Sequence, residues 1–175
     1  MNLVLIGYRA SGKSFVGKEL ALLLGWSFVD TDQLVESRAR LTIRELYAQH
    51  GEEAFRRIEA EVVREVGSRD RQVVSTGGGV VLSDANVAEL RRDGKLIWLK
   101  APAEVLWHRI LGDQERLRTR PPVDPATGLQ QIREALAARE PLYERAADAT
   151  VETQDRSVVD IVNTILLLTG LKGDP

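Results

Sequence analysis

Apolar positions along this chain follow two alternating rhythms. Short runs rich in Val, Ile and Leu, of the kind buried on both faces of a parallel sheet, predict strands at residues 3–6, 27–30, 72–75, 96–99 and 149–152. Between them lie longer stretches of helical period. One covers residues 13–24 and stops at Gly25, as a helix C-terminus does. Another opens at Thr42 with Glu45 three residues on, the pattern of a capping box. The stretch DANVAELRRDG has Ser83 before it as N-cap and Gly94 just past its end, and a last helix is predicted over residues 157–168. Strands alternating with helices predict an α/β fold of three layers around a five-stranded parallel sheet. The long irregular segment 112–128, GDQERLRTRPPVDPATG, is punctuated by proline and glycine and predicts a mobile lid. No repeat or linker interrupts the pattern, so one domain over residues 1–175 is expected.

Composition removes several function classes. A net charge of −2 with interspersed signs gives no electrostatic footprint for nucleic acid or an anionic membrane surface. With no cysteine, disulfides and thiolate chemistry are excluded. The start MNLVLIG lacks the features of a signal peptide, and IVNTILLLTGL is too short and too polar to span a bilayer. A cytoplasmic location is the expectation.

The stretch GYRASGKS, residues 7–14, matches G-x-x-x-x-G-K-[S/T] between a predicted strand and a predicted helix. Gly7 and Gly12 let the backbone curl so that successive N–H groups meet phosphate oxygens. Lys13 can reach the β- and γ-phosphates, and the Ser14 hydroxyl can ligate Mg²⁺. The following helix adds the positive end of its dipole. The chain has no N-K-x-D for reading guanine. The apolar run LIWLK ends in Lys100, where motor ATPases end a strand in Asp. Small-molecule kinases of the nucleoside monophosphate kinase type remain.

Other residues suggest the acceptor side. Asp30 and Asp32 are expected at the end of the second strand, two apart and facing the phosphate loop across the carboxyl edge of the sheet, unless one of them only caps the next helix. In FRRIEAEVVREV, Phe55, Ile58, Val62, Val63 and Val66 form an apolar arc with Arg56 at its flank, while Arg57 lies on the opposite, solvated face. Glu59 falls inside that arc, where an unpaired carboxylate is costly, so an ion pair with Arg56 is expected. Arg139 shares a face with Ile132 and Leu136 and needs an anionic partner, either a ligand or an internal carboxylate. The run STGGG, ending in Gly77, Gly78 and Gly79, would let a ligand approach the backbone. His50 and His108 lack metal-ligand spacing and are expected at the surface.

GYRASGKS, DTD at 30–32, FRRIE at 55–59, GGG at 77–79, RTRPP at 118–122 and REPLY at 139–143 occur in the order and spacing of one family. Along essentially its whole length the chain resembles a shikimate kinase. The departures are Phe15, where a threonine is common, and RPPV in place of RPLL. The resemblance implies transfer of the γ-phosphate of ATP to the 3-hydroxyl of shikimate with Mg²⁺ by a monomer, on a P-loop kinase sheet ordered 2-3-1-4-5. It implies ATP contacts from Gly7, Ala10, Ser11, Gly12, Lys13, Ser14, Phe15, Arg109, Arg120 and Gln154, with Arg109 stacked on adenine. Mg²⁺ would be held by Ser14 and Asp30. Shikimate would meet Asp32, Arg56, Gly77, Gly78, Gly79 and Arg139, its carboxylate bound by the two arginines. Asp32 would be the candidate general base, acting with Lys13 and with Arg120 of the lid. Of the lid's other arginines, Arg116 and Arg118 are expected in solvent. A gluconate-type sugar-acid kinase is the near rival, and a nucleotide-dependent module without turnover the distant one.

Overall fold

Alternation along the strands distributes the core between two layers. Leu3 and Leu5 face one side of the sheet with Val73, Ile97 and Leu99; Val4 and Ile6 face the other with Val74, Leu96 and Trp98. The strands are β1 (Asn2–Ile6), β2 (Ser27–Asp30), β3 (Gln72–Ser75), β4 (Gly94–Lys100) and β5 (Ala149–Glu152). All pair in parallel, in the order β2-β3-β1-β4-β5. This agrees with the expected fold and strand order. This computed structural model describes residues 1–113, 119–122 and 124–172.

The helices are α1 (Lys13–Leu24), α2 (Thr31–Ala39), α3 (Ile43–Gly67), α4 (Asp84–Arg92), α5 (Ala103–Gly112), α6 (Gly128–Ala146) and α7 (Val158–Thr169). Residues of α1 and α7 join the core on one face of the sheet, and residues of α2, α3, α4 and α6 join it on the other. The local signals read in the sequence have their physical counterparts. Thr42 and Glu45 close a capping box on α3, Ser83 accepts from Asn86 N–H, and Ser157 forms a second box with Asp160. Within α3, Gly51 at φ 77° kinks the helix.

Helix α2 was foreshadowed only by the possibility that one of the two aspartates caps a helix, as Asp30 does. Its buried positions are Thr31, Asp32 and Val35, two of them polar, so it shows no apolar stripe of helical period. The placement of the two aspartates changes accordingly. Asp30 ends β2 but Asp32 lies in the first turn of α2, so strand alternation is not what brings them together. Of the expected lid, residues 114–118, including Arg116 and Arg118, and residue 123 lie outside the described residues. No helix among the described residues is long and apolar enough to cross a membrane.

Candidate active site

The carboxyl ends of β1, β2 and β3 open onto one cleft, the position at which open parallel sheets bind ligands. Its first half is built by contiguous chain. After β1 the backbone turns at Gly7 with φ +142°, where an added Cβ would stand 2.5 Å from the Leu99 carbonyl oxygen. The loop then runs into α1, with Gly12 at φ 100° preceding the first helical residue. Lys13 is buried, and its Nζ donates to the Gly7 and Tyr8 carbonyls at 2.8 Å each. Ser14 Oγ donates to Asp30 Oδ2 at 2.9 Å and lies 3.4 Å from Ser75 Oγ. Asp30 Oδ1 accepts from the Asp32 and Gln33 N–H groups at 3.1 and 3.4 Å, so Asp30 both caps α2 and holds Ser14. These bonds bring Asp32 to the phosphate loop.

Asp32 is nearly buried and forms an ion pair with Arg120. Burial alone would push the Arg120 guanidinium below its ordinary value, but the Asp32 carboxylate and its hydrogen bond outweigh that and raise it.

The second half is assembled from separate elements around Gly77, Gly78 and Gly79. Arg56 Nη1 donates to Glu59 Oε2 at 2.8 Å, the ion pair expected from the helix pattern. Its Nη2 also reaches Glu52 at 3.2 Å. Glu59 is 1 % exposed, and burial pushes its carboxyl above the ordinary value despite Arg56. The glycines give these groups room. A Cβ on Gly77 would lie 2.7 Å from Asp32 Oδ1, and one on Gly79 would lie 2.5 Å from Arg56 Nη2. On α6, the Arg139 guanidinium sits 5.5 Å from the centre of the Tyr8 ring and donates to the Gly78 carbonyl at 3.4 Å. No carboxylate among the described residues pairs with Arg139, so none of them forms the internal salt bridge left open by the sequence.

One positioning residue was missed. Tyr143, a turn beyond Arg139, donates its hydroxyl to the same Gly78 carbonyl at 2.5 Å and stacks on Trp98 at 5.4 Å. Burial pushes its phenol well above the ordinary value. The signal was present in the spacing of REPLY, which puts Arg139 and Tyr143 on one helix face.

The cleft continues past the phosphate loop towards α5 and α7, sharing Gly12, Ser14, Asp30, Asp32 and Arg120 between its two parts. Arg109 donates to the Ala10 carbonyl at 3.3 Å and to the Thr153 carbonyl at 2.9 Å, tying α5 to the loop after β5. Phe15, 69 % exposed, lines this part with Arg109, Thr153, Arg156 and Val158. Gln154 is exposed beside Thr153 and is not among the lining residues. Arg57, His50 and His108 are exposed. No group of three or more His, Cys, Asp or Glu suited to a metal occurs among the described residues.

Comparison with known proteins bears on the family and the fold. The family described as "Shikimate kinase" matches residues 9–169. A shikimate kinase of Symbiobacterium thermophilum is 46% identical over 166 residues, covering 95% of this chain and 94% of that protein. A solved shikimate kinase from Acinetobacter baumannii in complex with shikimate superposes with a TM-score of 0.89 at 34% identity, covering 96% of this chain and 92% of that one. A gluconokinase from Sinorhizobium meliloti reaches a TM-score of 0.65 at 22% identity, over 98% of this chain and 93% of that one, a likeness of fold alone.

Proposed function

The chain belongs to the shikimate kinase family, and from that premise we propose how its own residues divide the work. The enzyme transfers the γ-phosphate of ATP to the 3-hydroxyl of shikimate. The observation that carries the division of roles is the convergence of the phosphate loop, Asp32 and Arg120 on one cleft, beside a glycine run flanked by Arg56 and Arg139.

The loop from Gly7 to Ser14, with Ala10, Ser11 and Gly12, offers backbone N–H groups and the N-terminus of α1 to the phosphates. Lys13, held over the loop by carbonyls, can exchange those bonds for β- and γ-phosphate oxygens. Arg109 and Phe15 flank the part of the cleft that suits adenine, with Gln154 at its rim. The resemblance that named Gln154 finds its weakest support here.

Arg56 and Arg139 bind the shikimate carboxylate, each guanidinium offering paired donors. Glu59 and Glu52 hold Arg56 in place, and Gly79 leaves the space for it. Tyr143 and Arg139 both donate to the Gly78 carbonyl and so fix the wall against which the ring lies. Asp32 accepts the proton of the 3-hydroxyl. The bond from that oxygen to the γ-phosphorus forms as the bond to the bridging oxygen breaks, and its electron pair leaves on ADP. Arg120, paired with Asp32 at the cleft, serves the phosphoryl oxygens as charge develops on them.

Ser14 Oγ and Asp30 Oδ2, hard oxygens 2.9 Å apart beside the loop, are donors that suit Mg²⁺, which takes few protein ligands and completes its shell with water and phosphate. When bound there, Mg²⁺ would neutralise charge on the β- and γ-phosphates. Every group named comes from one chain, and we take the working unit to be a monomer.

The test is ADP release from purified protein given ATP and Mg²⁺, with shikimate or gluconate as acceptor and the product identified by phosphorus NMR. Release with shikimate and formation of the 3-phosphate are expected. Turnover of gluconate with none of shikimate would overturn the reading.

A further inference from the structure

Arg9, the third residue of the phosphate loop, lines the cleft together with Lys13, Asp32 and Arg120. Its Nη1 donates at 3.4 Å to the carbonyl of Pro121, the residue after Arg120. Its Nε is buried with no hydrogen-bond partner, and no carboxylate among the described residues pairs with the guanidinium. Burial holds its pKa below the ordinary guanidinium value; Tyr8 offsets this only partly, and the neighbouring charge of Arg120 adds a smaller push in the same direction as burial. A half-buried cation whose inner donor has no partner and no counter-charge is costly. Buried unsatisfied donors are rare enough that each calls for an explanation.

The nearby carboxylates are already engaged. Asp30 holds Ser14 and caps α2, Asp32 is paired with Arg120, and Asp113, which lines the same part of the cleft, has an interaction of its own. The missing anion therefore comes with a ligand. Arg9 lines the part of the cleft that contains Lys13 and Ser14, whose lining includes neither Arg56 nor Arg139. It thus faces the phosphate being transferred, not the acceptor's carboxylate.

We propose that Arg9 is a further catalytic residue of this kinase, its Nε–H donating to an oxygen of the phosphoryl group in transit, alongside Lys13 and Arg120. The inference rests on the kinase reading of the site. It takes no proton and forms no bond. Its contribution is a positive charge, directed by the Pro121 carbonyl, on equatorial oxygens that gain charge in the transition state. The cost of the unpaired charge falls on the ligand-free protein, a local exchange of stability for rate.

Arg9→Met keeps the stem and removes the charge. The ligand-free variant is expected to melt at a higher temperature than wild type. Its kcat should fall on the order of 10²-fold while the KM values for shikimate and ATP stay within about three-fold. Arg9→Lys should restore part of kcat. Melting with ADP alone should shift the two proteins equally. ADP with aluminium fluoride and shikimate, a mimic of the phosphoryl group in flight, should give an additional rise in wild type that Arg9→Met loses. A kcat within about two-fold of wild type, or a loss appearing wholly in the shikimate KM, would overturn the proposal. So would a lower melting temperature or failure to fold, which would make Arg9 a structural tie to Pro121. If wild type releases no ADP with shikimate, the kinase reading fails instead, and the melting comparison still judges Arg9.

Discussion

The two halves of the cleft are built by opposite strategies. The phosphate half is one uninterrupted stretch of chain, Gly7 to Ser14, in which glycines set the path and to whose backbone groups we assign most of the binding. The acceptor half is gathered from α2, α3, the glycine run after β3, and α6, and we assign its specificity to charged side chains. Glycine therefore does different work in each. At Gly7 a side chain would collide with a fixed backbone oxygen of β4. At Gly79 it would collide with the end of the Arg56 side chain, which can move at the expense of its aim. A site that must hold any ATP can be local, whereas one that must recognise a particular acid needs groups delivered from across the fold.

The largest effect is expected where the halves meet. Asp32→Asn removes the carboxylate proposed to take the hydroxyl proton and releases Arg120 from its ion pair. Turnover should fall on the order of 10²–10⁴-fold with the ATP affinity nearly unchanged, as measured by steady-state kinetics and nucleotide titration. Near-normal turnover would remove Asp32 from the mechanism.

The paired substitutions Gly7→Ala and Gly79→Ala test the contrast itself. Gly7→Ala forces a side chain onto a backbone at φ +142° and should cost about 1–3 kcal/mol of stability and ATP binding with it. Gly79→Ala should leave melting and ATP affinity near wild type and raise the shikimate KM, losing part of the roughly 1.5–3 kcal/mol that a charged hydrogen bond from Arg56 supplies. Equal behaviour of the two variants would erase the distinction.

A smaller effect is expected from Glu59, whose burial separates it from an ordinary surface partner of Arg56. Because its pKa is raised in the folded protein, the native state holds more protons than the unfolded chain from the ordinary carboxylate value up to the raised one. Stability contributed at this site falls as pH rises through that window. Glu59→Gln cannot titrate, so its melting temperature relative to wild type should increase with pH across the window. A difference that is flat with pH, or that decreases, would contradict the buried-carboxylate account.

The same contrast explains what was legible in the sequence. The phosphate half could be read directly because its geometry is local, and the five strands because burial on both faces leaves continuous apolar runs. Arg56 was legible with Glu59, since both lie on one helix and the period gives their angle. Other features depend on tertiary placement and left weak traces. Helix α2 buries mostly polar residues, so no apolar period announced it, and Asp32 was placed on a strand. The bond from Tyr143 to Gly78 spans 65 residues, and the partners of Arg9 lie in a segment that reads as irregular. Arg139 was recognisable as needing an anion, but only the fold shows that no carboxylate among the described residues supplies it.

The central claim is that Arg56 and Arg139 form one carboxylate site while the phosphate loop binds ATP independently of them. Calorimetric titration of shikimate, and of an analogue lacking the carboxylate, into wild type and Arg139→Ala tests this most directly. Shikimate should lose roughly 1.5–3 kcal/mol of binding on mutation, the analogue should bind both proteins equally, and ATP affinity should not change. If the mutation weakens shikimate and the analogue alike, or weakens neither, Arg139 does not bind that carboxylate and the division of the cleft into two halves is wrong.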